Sequence, residues 1–226
     1  DYDHNRAGAE QAYRTAILLN PAYATARQWL AIHLADEARH DEAAQEIERA
    51  RRLDPLSRII NTAVGAIRYF ARDYPGAIAE YRAVVDRTPT FALGWALMGR
   101  VYLVSGQLDS ALATLERSVR LSDGDPSYEA VYAAALAASG RTDEARTIAE
   151  RVRKAQAHRD GYVPYCELAS AFVYLGDSLA ALALFERALD ERDPALKHIA
   201  AEPLYDQIRA HARFQALLKR VGLGAA

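Results

Sequence analysis

The sequence predicts an all-α fold: a right-handed α-solenoid of stacked helix-turn-helix repeats, closed by a C-terminal helical cap. Three observations predict it. Pro21, Pro55 and Pro89 stand 34 residues apart, a period typical of stacked helical repeats. The run before each proline has one spacing: Ala9-x3-Tyr13-x2-Ala16, Ala43-x3-Ile47-x2-Ala50 and Ala77-x3-Tyr81-x2-Val84. That spacing puts the named residues on one face of a helix. Finally, Gly106, Gly140 and Gly176 recur where the first helix of a pair has to stop, and glycine takes the left-handed backbone that such a stop needs.

Taken in order, residues 1–23 read as the second helix of a truncated first repeat. The chain opens without Met, inside a repeat, so a piece of a longer protein is expected. Residues 24–194 hold five repeats. The second starts near Ala24, with Leu30, Ala31 and Leu34 in its first helix. The third starts near Arg58, with Val64-Gly65 at the close helix–helix contact. The fourth carries Trp95-x2-Met98-Gly99-x2-Tyr102, Gly106 and Ala111-x3-Leu115-x2-Ser118. The fifth starts near Pro126 and its second helix is predicted to run from Asp143 to His158. The sixth starts near Tyr162, with Leu168-Ala169-x2-Phe172, Gly176 and Ala181-x3-Phe185-x2-Ala188. Small residues let paired helices touch and large ones fill the space beside them. Asp41, Asp109 and Asp143 share one position at the start of a second helix, where a carboxylate meets free N–H groups and the positive end of the dipole. Residues 195–226 read as capping helices, over Pro203 to Arg209 and His211 to Val221. Repeats pack only on their neighbours, so one elongated domain is expected.

These registers resemble the tetratricopeptide repeat family over residues 8 to 194. A finer resemblance rests on Leu53-Asp54-Pro55-Leu56-Ser57, Ile60-Asn61-Thr62, Tyr69-Phe70-Ala71 and Arg213-Phe214-Gln215-x-Leu217-Leu218. These stretches are similar to the C-terminal repeat regions of bacterial multidomain winged-helix regulators and serine/threonine kinases. The resemblance implies a cytoplasmic, bacterial regulatory or sensory arm that binds proteins.

Composition narrows the partners. The 226 residues carry a net charge of −2, so no field across the molecule draws in nucleic acid. A single cysteine, Cys166, excludes an internal disulfide. No apolar run approaches the roughly 18 residues that mark a membrane span.

No cofactor, metal or catalytic residue is expected. The histidines His4, His33, His40, His158, His198 and His211 form no tight ligand motif. Cys166 lacks the cationic setting or His partner of a nucleophile. Gly94-x4-Gly99 lacks the lysine of a phosphate loop and falls inside a helix. Asp123-Gly124-Asp125 reads as a turn rather than a calcium loop.

Binding is therefore the expected activity. In the resembled family the first helices line a concave groove, which here takes in Gln28, Ile32, Asp36, Tyr69, Phe70, Arg100, Leu103, Ser170 and Tyr174. The family's clamp for a C-terminal carboxylate needs Lys and Asn at positions where Gln28, Ile32, Ala63, Leu93 and Leu97 stand, so that ligand is not expected. The groove is mostly apolar and suits a protein or peptide, another domain of the same protein included. Its alternative occupant is a small ligand or lipid. A basic helix with Arg146, Arg151, Arg153, Lys154 and Arg159 is the competing surface, one that would bind through charge.

Overall fold

The computed structural model describes residues 6–155 and 164–223. All regular structure among them is helical, with no strand. The helices are α1 (Arg6–Leu19), α2 (Ala24–Asp36), α3 (His40–Leu53), α4 (Arg58–Phe70), α5 (Tyr74–Arg87), α6 (Ala92–Val104), α7 (Leu108–Leu121), α8 (Pro126–Ala138), α9 (Thr142–Ala155), α10 (Tyr165–Tyr174) and α11 (Ser178–Asp190). Two 3-10 turns, η1 (Pro194–His198) and η2 (Pro203–Ile208), and a last helix α12 (Ala212–Arg220) complete the chain. The first helices α2, α4, α6 and α8 begin 34 residues apart, and so do the second helices α3, α5, α7 and α9. Every proline therefore falls in a connection or a first turn, where its missing N–H costs nothing.

The ends of the helices are built by two devices. Gly106, Gly140 and Gly176 adopt φ of 75°, 82° and 75° between first and second helices. At the same place in the two preceding repeats, Ala38 and Arg72 take φ of 59° and 64°, which a side chain resists. The N-caps are Ser57, Asp73, Asp125 and Asp177, each accepting a backbone N–H of its own helix. Asp41, Asp109 and Asp143 fall inside their first turns rather than at the cap. For α3 and α7 the capping positions belong to Arg39 and Gln107, which make no side-chain cap bond. There these carboxylates meet the positive end of the helix dipole. The described part of the long second helix predicted to reach His158 is α9, and residues 156–158 lie outside the described residues.

The chain forms two compact units, residues 1–89 and 90–226. In the N-terminal unit α2 pairs with α3 and α4 with α5, while α1 packs on α2 and α4 on both α2 and α3. Its core joins Leu30, Leu34, Ile47, Ile60, Val64 and Ile67 with buried alanines. Gly65 permits the close pairing of α4 with α5: a Cβ there would lie 2.6 Å from the buried ring of Tyr81.

In the C-terminal unit the pairs are α6 with α7, α8 with α9 and α10 with α11. Gly99 faces Leu115, whose Cγ would stand 2.5 Å from an added Cβ. Fully buried Phe185 then meets Tyr205 at 4.8 Å and Phe214 at 5.4 Å, so α12 and η2 close over the last helix pair.

Candidate functional site

Within each unit, first helices touch first helices: α2 meets α4, and α8 meets both α6 and α10. The residues of the expected groove lie on these first helices, and the two units surround them differently.

In the N-terminal unit most of the expected lining is packed. Gln28 and Tyr69 are buried. Ile32 and Phe70 are half-buried against the α2–α4 core. Tyr69 stacks obliquely on Phe70 at 5.6 Å and on Tyr74 at 6.2 Å, ring contacts at ordinary aromatic separations. Asp36 is half-buried at the end of α2. Two large apolar side chains of these first helices stay exposed instead: Trp29 at 42% and Ile59 at 45%. Neither was among the residues the sequence singled out. Ile59 follows the repeat start at Arg58 by one residue, a register that could have found it; Trp29 carries no such signal.

In the C-terminal unit the chain's own tail lies on these first helices. The turn η2 packs on α10 and reaches α6. Arg100 of α6 donates from Nη2 to Glu167 Oε1 of α10 at 3.3 Å. Its Nη1 stands 3.8 Å from Glu202 Oε2, next to η2. Glu202 and Asp193 are both buried acids with assigned work. Glu202 Oε1 accepts the Leu204 N–H and starts η2. Asp193 Oδ1 accepts the Ala195 N–H, while its Oδ2 accepts the Cys166 N–H from the first turn of α10. Tyr205 Oη donates to the Cys166 carbonyl at 2.9 Å. Leu103 and Ser170 are buried, and the Ser170 hydroxyl donates to the Glu167 carbonyl. Tyr174 is half-buried against Leu136, Ala137 and Ala145.

Cys166 is buried, and its thiol is pushed well above the usual range by that burial, with the Asp193 and Glu167 carboxylates adding to it. A thiol so disposed is a poor nucleophile. The glycines Gly94 and Gly99 sit within α6 as packing residues, and Asp123-Gly124 forms a left-handed turn that leads into the Asp125 cap.

The basic helix is α9. Arg146, Arg151, Arg153 and Lys154 are exposed on it, and Arg159 lies outside the described residues. Two of the cations are engaged: Arg151 with Glu129 and Arg153 with Glu150, each at 2.7 Å. Arg146 and Arg153 also border an open groove of about 590 Å³ that continues to Tyr165, Phe172 and Arg187.

One grouping of metal-ligand types occurs among the described residues: Glu10, His33 and Glu37, whose donor atoms lie within 4.8 Å of one another. Spacing along the chain conceals it, because Glu10 comes from α1 and the other two from the end of α2. His4 and His158 lie outside the described residues.

Family models described as tetratricopeptide repeat match residues 2–58 and 71–135, together just over half of the chain. No curated protein matches the sequence. Solved structures are similar in fold. A tetratricopeptide repeat protein of Parabacteroides merdae superposes with a TM-score of 0.61 at 15% identity, over 98% of this chain and 88% of that one. A thermophilic repeat protein of Thermus thermophilus gives 0.59 at 21% identity, over 79% of this chain and 98% of that one. Pseudomonas aeruginosa pilF gives 0.55 at 20% identity, over 86% and 89%.

Proposed function

Because the chain belongs to the tetratricopeptide repeat family, we propose that it is a protein-binding scaffold that captures a protein or peptide on the first-helix face of its N-terminal unit. One observation carries this reading. The large apolar side chains Trp29 and Ile59 stay exposed on α2 and α4, which touch. The corresponding face of the C-terminal unit is covered by the chain's own η2 segment. Aromatic anchors are the residue type most enriched at binding hot spots. Half-buried Ile32, Asp36 and Phe70 lie on the same two helices, α2 and α4, as do buried Gln28 and Tyr69.

The scaffold serves as the regulatory arm of a larger bacterial regulator or kinase in the cytoplasm, consistent with the Leu53–Ser57 and Arg213–Leu218 stretches. It performs no catalysis of its own. Among the described residues no helix is long and apolar enough to cross a membrane.

The test uses peptides selected from a displayed random library against the whole chain. Their affinity is then measured for Trp29→Ala with Ile59→Ala, and separately for Arg153→Glu with Lys154→Glu. Binding should weaken at least about tenfold in the first pair, as loss of a hot-spot anchor requires. It should change little between low and moderate salt, since apolar contacts are not screened. Binding lost only in the second pair, and falling steeply with salt, would assign capture to α9 and refute the proposal.

A further inference from the structure

We propose that Glu10, His33 and Glu37 form a site for a divalent first-row transition ion of nitrogen–oxygen preference, for which zinc is the test ion. The reasoning starts with His33. It sits in the last turn of α2, its side chain only 11% exposed. Its Nε2 is shielded from solvent and makes no hydrogen bond. A buried polar atom left in that state is costly, and native structures seldom leave one without a function. The charged atom Glu37 Oε1, one helical turn on, stands 3.6 Å away, beyond hydrogen-bond reach but at the separation two ligands of one ion adopt. A tetrahedral zinc with bonds of about 2.0–2.2 Å to nitrogen and oxygen holds its ligand atoms roughly 3.4 Å apart. The Glu10 carboxylate completes the triad from the facing helix α1, with all three donor atoms inside 4.8 Å.

The surroundings decide whether an ion is tolerated. Arg39 and Arg14 hold the two oxygens of Glu10, at 2.8 and 2.6 Å, and Arg39 also stands 3.6 Å from Glu37 Oε2. Their charge opposes an incoming cation. Glu42 offsets it, paired with Arg39 at 2.7 Å and with Arg14 at 3.5 Å. The Tyr13 ring, 6.3 Å from the His33 ring, walls the site on the α1 side. Three protein ligands leave a fourth position for water or for a donor brought by a bound protein, the arrangement of open zinc sites.

The experiment is calorimetric titration of zinc into the full chain, with thermal unfolding followed at the same zinc concentrations. One ion per chain should bind, and the midpoint should rise with zinc by mass action. His33→Ala and the near-isosteric Glu37→Gln should each weaken binding by at least about tenfold, as loss of a ligand or its support does. His198→Ala, in the other unit, should leave it unchanged. Absence of both heat and midpoint shift would overturn the proposal and leave the triad an ion-pair cluster. So would zinc binding that persists in Glu37→Gln and His33→Ala, which would place the ion elsewhere.

Discussion

Gly99→Ala should destabilise the C-terminal unit, although the substitution is favourable for an isolated helix. Gly99 lies inside α6, and replacing an interior helical glycine by alanine ordinarily gains about 0.8–1.0 kcal/mol. Against this stands the contact with α7. The new Cβ would meet Leu115 Cγ at 2.5 Å and Cδ2 at 2.8 Å. Carbon atoms pack at about 3.5–4.0 Å, so the overlap is on the order of 1 Å. Leu115 is fully buried and cannot swing into solvent. Overpacking of this kind costs about 1–3 kcal/mol. The net expectation is a loss of about 1 kcal/mol, or a fall in Tm of roughly 2–4 °C for a chain of this size. Thermal unfolding followed by circular dichroism measures it. Leu115→Ala in the same background should relieve the clash, giving a favourable coupling between the two sites of about 0.5–3 kcal/mol, the range that contacting residues show. A Tm that rises in Gly99→Ala would show that α6 and α7 do not approach through this pair, and the helix register would be wrong.

Gly65→Ala should behave alike in the N-terminal unit and cost somewhat more, because the ring of Tyr81 at 2.6–2.9 Å bends less than a leucine; urea unfolding with a higher midpoint would refute it. Ala38→Gly should stabilise by up to about 1 kcal/mol, since the relief of a left-handed alanine exceeds the added chain entropy. Cys166 should resist a thiol reagent in the native chain and react fully on unfolding, while Tyr205→Phe should speed native labelling by loosening η2; fast labelling of the unaltered protein would contradict the burial. Asp73 titrates below its usual range because Arg68 and the Gly76 N–H hold its carboxylate. The unfolded chain therefore takes up that proton first, at about pH 4. The stabilisation is complete above that pH and is lost as pH falls through the lower folded value. Asp73→Asn, which keeps a cap, should flatten the acid limb of stability against pH, and parallel limbs would exclude the pair.

Sequence alone determined the helices and their pairing. The 34-residue period, the small-x3-large-x2-small spacing and the turn glycines act within one or two helical turns, where local backbone preference and facial periodicity decide the outcome. That is why α2, α4 and α8 start at Ala24, Arg58 and Pro126, where those repeats were expected to start, and why Gly106, Gly140 and Gly176 take positive φ; α10 instead starts at Tyr165, three residues past the expected Tyr162. The local pattern did not specify what each first-helix side chain meets. Gln28, Tyr69, Leu103 and Ser170 had the register of a groove lining, yet all four are buried. Trp29 and Ile59 are the ones left exposed. Arg100 finds Glu167 across 67 residues of chain, and Tyr205 finds the Cys166 carbonyl across 39. Glu10 reaches the His33–Glu37 pair only through the packing of α1 on α2. Such meetings depend on the rotation of each hairpin on the next. That rotation comes from the combined shapes of many packed side chains and from where the tail finds hydrogen-bond partners, so it is written in no single stretch of sequence.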